Sequence, residues 1–179
     1  MRTKTLLVLG LAAGAAAACG PPPENAGKHI RPHLNPIYFG DIEELPAGEE
    51  PDPTTGTHPP FAWTLQLQSW GTEPVTLSDD CMVGDTEAFT YEFEPDASMT
   101  IDPGGELLVR VTYTRTQPRG DGKPDNVTMI FQSDADDFPT LAVTACGRTI
   151  PSGQMPDNTW LCEPQADPAQ QPDRSLCSS

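Results

Sequence analysis

The chain has 179 residues, 36% of them hydrophobic, with a formal net charge of −16, 21 prolines and 15 glycines. At this length one domain is expected, and because Pro and Gly crowd both ends, the foldable part is a middle of ~110 residues, large enough to bury roughly two-thirds of its chain surface. The acidity excludes a nucleic-acid role, since phosphate binding needs a cationic surface. It also excludes an electrostatic dock on anionic lipid. Solubility through self-repulsion is its simplest consequence.

At the N-terminus, Arg2 and Lys4 precede the apolar run Leu6-Leu7-Val8-Leu9-Gly10-Leu11, and Ala15 to Ala18 lead into Cys19. The run of ~13 residues is too short to span a ~30 Å hydrocarbon core, so residues 1–18 are expected to be an export signal rather than a membrane helix. Ala16-Ala17-Ala18-Cys19 resembles the bacterial lipobox, with Ala16 where Leu is usual. The resemblance implies cleavage before Cys19 and acylation of its thiol and amine, palmitate being the probe for such a modification; several acyl chains anchor a protein stably. By resemblance to enterobacterial sorting, Gly20 in place of Asp implies an outer-membrane lipoprotein, on the periplasmic face or the cell surface. Of the ten basic residues, Arg2 and Lys4 leave with the signal, so 8 basic groups remain against 26 acidic ones, a formal −18.

Residues 19–36 carry Pro21-Pro22-Pro23, Pro32 and Pro36 and are expected to be a disordered tether with a reach of roughly 50 Å in extended polyproline geometry. Beyond Cys19 the cysteines are Cys81, Cys146, Cys162 and Cys177. An even count in an oxidising compartment points to disulfides, with three possible pairings. Cys162 and Cys177 enclose a short loop and are the expected local pair. Cys81 and Cys146 would then join two strand ends, for ~2–4 kcal/mol of stabilisation. No spacing matches a zinc site.

From Ile37 on, the apolar residues alternate. Ile37–Gly40 is expected as a short edge strand. In Ala62–Ser69, Trp63, Leu65 and Leu67 share one side. In Glu106–Thr114, Leu107, Val109, Val111 and Tyr113 do so. Val127, Met129 and Phe131, and then Leu141, Val143 and Ala145, repeat the pattern. Shorter strands are expected at Val75–Ser78, Phe89–Phe93 and Met99–Ile101. Trp70-Gly71, Asp102-Pro103-Gly104-Gly105, Arg119-Gly120-Asp121-Gly122 and Asp134 to Pro139 carry turn chemistry. No helical period is present. The expectation is all-β: a seven- to eight-stranded immunoglobulin-like β-sandwich over residues 37–147. Glu43 to Pro60 is a long acidic connection that would guard an edge strand. Residues 148–179 are an irregular Pro-rich tail, with Trp160 packing on the sandwich.

The ordered set Ile37-Tyr38-Phe39-Gly40-Asp41-Ile42, Ser69-Trp70-Gly71-Thr72-Glu73-Pro74, Ile101-Asp102-Pro103-Gly104-Gly105 and Ser133-Asp134-Ala135-Asp136-Asp137-Phe138-Pro139 resembles the Hydin-like, or choice-of-anchor-D, immunoglobulin-like domain frequent in lipoproteins of myxobacteria. The resemblance covers roughly residues 37 to 147. It implies a seven-stranded sandwich that binds or scaffolds without a catalytic site. The chain departs from that pattern at Trp70, at Tyr113-Thr114-Arg115-Thr116-Gln117-Pro118, in the acidic loop and in its two core cysteines.

Catalytic constellations are absent from the sequence. His29, His33 and His58 all precede residue 59, so no histidine inside the domain can serve a Ser-His-Asp triad. His29 and His33 are read as surface residues of a flexible arm. There is no phosphate-binding glycine pattern and no cofactor signature. Asp134, Asp136 and Asp137 share one turn, and Asp79 and Asp80 precede Cys81, but no calcium-loop pattern accompanies them and turn aspartates need no metal. Trp63 and Tyr113 are expected in the core. Trp70, with Asp134, Asp136 and Asp137, is the candidate partner contact. The function expected is a lipid-anchored cell-envelope module that binds an envelope protein or polysaccharide and catalyses nothing. The alternatives are an accessory subunit docking through the acidic loop or tail, and a small envelope enzyme.

Overall fold

The computed structural model of the chain describes residues 25–46, 48–49, 58 and 60–163. The signal segment, Cys19, Cys177 and most of the acidic loop lie outside them. Among the described residues nine strands follow in chain order: β1 Ile30–Pro32, β2 Ile37–Glu43, β3 Phe61–Ser69, β4 Val75–Gly84, β5 Phe89–Phe93, β6 Thr100–Ile101, β7 Glu106–Tyr113, β8 Asp125–Ser133 and β9 Thr140–Ile150. They form two sheets. The first has the order β1-β3-β7-β5 and the second β2-β9-β8-β4-β6. Chain neighbours repeatedly fall in opposite sheets, which is the Greek-key connectivity of an immunoglobulin-like sandwich.

Period-two alternation decides which side chains meet between the sheets. Leu65 and Leu67 of β3 and Val109, Val111 and Tyr113 of β7 face Val127, Met129 and Phe131 of β8 and Leu141, Val143 and Ala145 of β9. Burying each large aliphatic side chain here contributes roughly 1.5–3 kcal/mol. Phe39, Phe89 and Tyr113 fill one end, with ring centroids 5.1 to 6.0 Å apart. Gly147 lies flat against that cluster: a Cβ there would stand 3.1 Å from the Tyr113 ring.

Two boundaries differ from the sequence expectation. The ordered domain starts before Ile37, because β1 lies inside the segment read as tether and pairs antiparallel with β3, Ile30 opposite Ser69. The last strand runs on to Ile150, because β2 pairs parallel with it as far as Glu43 opposite Ile150. Between β1 and β2 the chain changes sheets, and Asn35 bridges the gap. Its Nδ2 donates to Ala142 O and its Oδ1 accepts from Thr144 N, at 3.0 and 3.1 Å. One core expectation is corrected. Tyr113 is fully buried, but Trp63 is 48% exposed. Trp63 shares the inward side with Leu65, yet β1 covers β3 only from Leu67 to Ser69, so the start of β3 is an open margin of the sandwich.

A buried carboxylate closes the end near Tyr113. Asp125 is 0% exposed. It accepts from Tyr113 Oη at 2.8 Å and Arg115 Nε at 2.8 Å, and pairs with Arg119 at 3.3 Å. Burial pushes the Tyr113 phenol up, and the Asp125 charge adds to this against the opposing Thr149 hydrogen bond, so the phenol keeps its proton and donates it. Removing one partner from such a set strands the others without water. Asp125→Ala is expected to lower unfolding free energy by about 3–5 kcal/mol, and Tyr113→Phe by about 1–2 kcal/mol. Urea denaturation of the two variants checks both values and their order.

Candidate interaction surface

The residues singled out by sequence do come together, at the pole where the N-terminal segment enters, but they bind the chain itself. Asp136 accepts from Lys28 N at 2.8 Å, and its own N–H donates to Lys28 O at 2.7 Å. Asp134 accepts from Thr76 N at 2.7 Å and pairs with Lys28 Nζ at 2.5 Å. Asp137 Oδ1 accepts from Ile30 N and Phe138 N. Trp70 is half-buried and stacks on His29, with centroids 4.7 Å apart. His29 is therefore packed, not loose, with Nε2 on Ala26 O and Nδ1 3.4 Å from Asp137 Oδ2. His33 is also engaged, its Nδ1 accepting from Gln66 N at 2.8 Å. The aspartates expected as a partner contact hold the strand entry with their oxygens. Gly71 permits this crossing, since a Cβ there would run into the Gly27 carbonyl and stand 2.9 Å from His29 N.

The C-terminal segment docks on the outer face of the second sheet, as the Trp160 reading anticipated. Asp41 of β2 is the post. Arg148 Nε and Nη2 reach its two oxygens at 2.7 and 2.6 Å, Asp157 N donates at 2.6 Å, and Trp160 Nε1 donates at 2.8 Å. Trp160 also lies over Tyr38, centroids 4.7 Å apart, with the Arg148 guanidinium 5.6 Å from its ring. Further along, Cys162 is bonded to Cys146 of β9, Cα to Cα 5.4 Å. This corrects both expected pairs. Cys81 lies on β4 and Cys146 on β9 with β8 between them, roughly two strand spacings or ~10 Å apart, beyond the ~4.4–6.8 Å that a disulfide spans. Asp79 and Asp80, which precede Cys81, are inside β4, and Asp80 accepts from the Tyr91 hydroxyl.

The outer face of the first sheet is open by contrast. Ala62 and Thr64 of β3, Leu108 and Arg110 of β7, and Glu92 and Phe93 of β5 line a groove of ≈500 Å³. Its floor is apolar and its rim carries the exposed pair Arg110 and Glu92, 3.9 Å apart, a separation worth little in water. Among the described residues no strand pairs with Phe61–Leu65 on the side away from β7. Trp63 stands at that margin. Sequence alternation marked Trp63 as apolar and inward but could not show that the core stops short of it.

Two consequences are measurable here. Gly71→Ala is expected to displace Gly27 to Ile30 and cost roughly 1–3 kcal/mol by overpacking, with faster hydrogen exchange at the Ile30 amide. For Asp41, burial pushes the carboxyl up, but Arg148, the Asp157 amide and Trp160 outweigh it and hold the group below the usual carboxylate range. Its contribution is complete above the ordinary Asp value of 3.8 and is lost as pH falls through the lower folded value. The Asp157 amide should therefore exchange slowly near neutrality and lose protection only in acid, while Asp41→Asn loses it at every pH.

No protein-family model matches the sequence, and no curated protein matches it. Among solved structures, the chain is similar to a protein of unknown function from Porphyromonas gingivalis, with 15% identity and TM-score 0.47 over 69% of this chain and 48% of that one. It is similar to the secreted serine protease VesC from Vibrio cholerae, with 13% identity and TM-score 0.41 over 70% of this chain and 24% of that one. It is similar to the ASH/PapD-like domain of human CEP192, with 17% identity and TM-score 0.42 over 80% of this chain and 99% of that one. The chain thus spans less than half of the first two proteins.

Proposed function

We propose that this protein is a lipid-anchored, non-catalytic binding module of the cell envelope, presenting the open face and margin of its first sheet to another envelope component. The observation that carries this is the asymmetry of the two outer faces. Asn126, Thr144 and Cys146 on the second sheet are buried, whereas Ala62, Thr64 and Arg110 on the first are exposed. The margin at Phe61–Leu65 suits an added strand, where main-chain hydrogen bonds give affinity and side-chain pockets give selectivity. Trp63 beside it supplies a large apolar contact. An extended segment of an envelope protein fits that margin better than a polysaccharide, because the groove is lined by Ala62, Phe93, Pro95 and Leu108 with only Glu92, Glu94 and Arg110 charged.

The absence of catalysis is supported by how the polar groups are used. Asp125, Tyr113, Arg115 and Arg119 bind one another. Asp41 is occupied by four donors, and Asp134, Asp136 and Asp137 by Lys28 and backbone N–H groups. A reacting group needs a free lone pair or proton aimed into a cleft; the carboxylates of Asp125, Asp41 and Asp134 are engaged within the fold, and Asp137 Oδ2, which has no hydrogen-bond partner among the described residues, faces the His29 ring with Nδ1 3.4 Å away. Calcium at the Asp134 turn would have to displace Lys28.

The anchor and the surface are tested separately. Palmitate is expected to label the wild type and not Cys19→Ser, with the wild type in the outer-membrane fraction; label retained in Cys19→Ser removes the anchor. A photocrosslinking residue at Ala62 or Thr64 is expected to capture one discrete envelope partner in cells. Trp63→Ala should cut that capture at least several-fold while leaving the melting temperature near wild type. Equal capture from a crosslinker on the exposed tail residue Met155 would sink the assignment of the surface.

A further inference from the structure

Both ring nitrogens of His29 face acceptors. Nε2 lies 3.0 Å from Ala26 O, and Nδ1 lies 3.4 Å from Asp137 Oδ2. A neutral imidazole carries one N–H and one lone pair, whereas the imidazolium carries two N–H groups. With the single proton of the neutral ring on Nε2, toward Ala26 O, the Nδ1 lone pair points at a carboxylate oxygen. Nδ1 and Asp137 Oδ2 are both buried, and neither has a hydrogen-bond partner among the described residues. Two buried acceptors in contact cost free energy, and one added proton satisfies both. Trp70 favours the same charged state. Its ring centroid is 4.7 Å from that of His29, and an aromatic face attracts a cation within ~6 Å. The second oxygen of the carboxylate, Asp137 Oδ1, accepts from Ile30 N at 3.1 Å, so the pair sits on the bond that starts β1.

We propose that His29 and Asp137 form a proton-operated clasp on the N-terminal segment, closed when the imidazole is charged and loosened when it is neutral. The proton comes from solvent, and Nδ1–H then donates to Oδ2. The surrounding charges favour this sign. From the turn between β8 and β9, Asp137 faces Nδ1 and Asp136 lies near Nε2: a Cβ at Gly27 would stand 3.8 Å from His29 Nε2 and 2.5 Å from Asp136 Oδ2. Asp134 of the same turn is paired with Lys28, the cation next to His29 in the chain. Glu73, from the turn after β3, also acts on Lys28. Four carboxylates thus stand against one ammonium. Carboxylates ordinarily titrate well below the imidazole range, so near neutrality the imidazole is the group that changes. The clasp is present with the proton bound and is lost as pH rises. The bonds from Gly27 to Thr72 and Glu73 involve no titrating group, so the segment loosens at His29 and Ile30 without leaving the pole. In a protein anchored through Cys19, the reading proposed above, the clasp sets how firmly the anchor-bearing end is held to the sandwich. The clasp itself requires no anchor.

Hydrogen exchange at the Ile30 amide, expressed as a protection factor, reads the clasp in the full exported protein. Protection is expected to be several-fold higher at about pH 5.5 than at about pH 8, either side of the ordinary imidazole value of ~6.5. His33, at the other end of β1, accepts from Gln66 N through Nδ1 and loses that bond when charged. The effect is therefore read as the difference between the wild type and His29→Phe, which keeps a ring against Trp70. Equal pH profiles in these two proteins overturn the clasp. Asp137→Asn is expected to reverse the sign. An amide Nδ2–H in place of Oδ2 donates to the Nδ1 lone pair of the neutral ring, while Oδ1 still accepts from Ile30 N. Protection in this variant should be high at the upper pH and fall at the lower one. A profile that still rises toward acid would mean that the proton does not act through Asp137. The wild type alone gives a further reading, since nitrogen NMR shifts of the His29 ring should show the Nε2–H tautomer at the upper pH. A proton already on Nδ1 there would join ring and carboxylate without titration and end the proposal. None of these readings involves the lipid, so loss of palmitate label would remove the anchor and leave the clasp standing.

Discussion

The Asp41 carboxylate, wholly buried, receives two N–H bonds from Arg148, one from the Asp157 amide and one from the Trp160 indole. Charge-assisted bonds of this kind are shorter and roughly twice as strong as neutral ones. The arrangement matters less for its gross energy than for what it joins. It ties the first strand of the second sheet to the last, and both to the segment that leaves the sandwich. An ion pair buried this way is weak evidence for net stability but strong evidence for a single geometry, because removing any one partner leaves the rest uncompensated. With that post in place, Trp160 covers Tyr38 and Cys162 arrives within bonding distance of Cys146. The docking of the C-terminal segment on the second sheet follows from it.

The strands were legible because a half-buried strand writes its own orientation into the sequence. Phe89–Phe93 was located to the residue, and β3, β7, β8 and β9 began within two residues of expectation. β1 was missed because only Ile30 of its three residues is a strand former facing the core, and Arg31 and Pro32 read as linker. Trp63 was assigned the right side and the wrong burial, since alternation reports direction while the margin of the core depends on how far β1 reaches along β3. The aspartates of the Asp134 turn were recognised as turn residues, but Lys28 and Ile30, which donate to Asp136 and Asp137, lie more than a hundred positions away in sequence, and no local pattern announces such partners. The cysteines show the same limit. Loop length favoured a pair within the tail, whereas strand order set β8 between Cys81 and Cys146 and turned Cys146 toward the tail instead.

The strong negative charge also changes meaning once the contacts are known. Lys28, Arg115, Arg119 and Arg148 each sit in an ion pair with Asp134, Asp125, Asp85 or Asp41. Four of the ten cations in the sequence are therefore consumed inside the fold. The surface that remains is deficient in positive charge, which strengthens the exclusion of phosphate-rich partners. The same arithmetic keeps like molecules apart, an advantage for a sandwich with an unguarded strand margin, since such margins otherwise template edge-to-edge association.

In the proposed module, attachment and availability are set by opposite ends of the chain. The N-terminal segment crosses the Trp70 turn and is held by Asp134, Asp136 and Asp137 before it becomes β1, so any tension from an anchor at Cys19 is delivered to that pole and not to the groove. The C-terminal segment crosses the second sheet from the Asp41 post. Neither obstructs β3 or the outward side of β7. In the proposed module, the first sheet is the face left for a partner. That geometry converts a symmetric architecture into a one-sided surface, although no residue of the surface differs in kind from those of an ordinary exposed sheet.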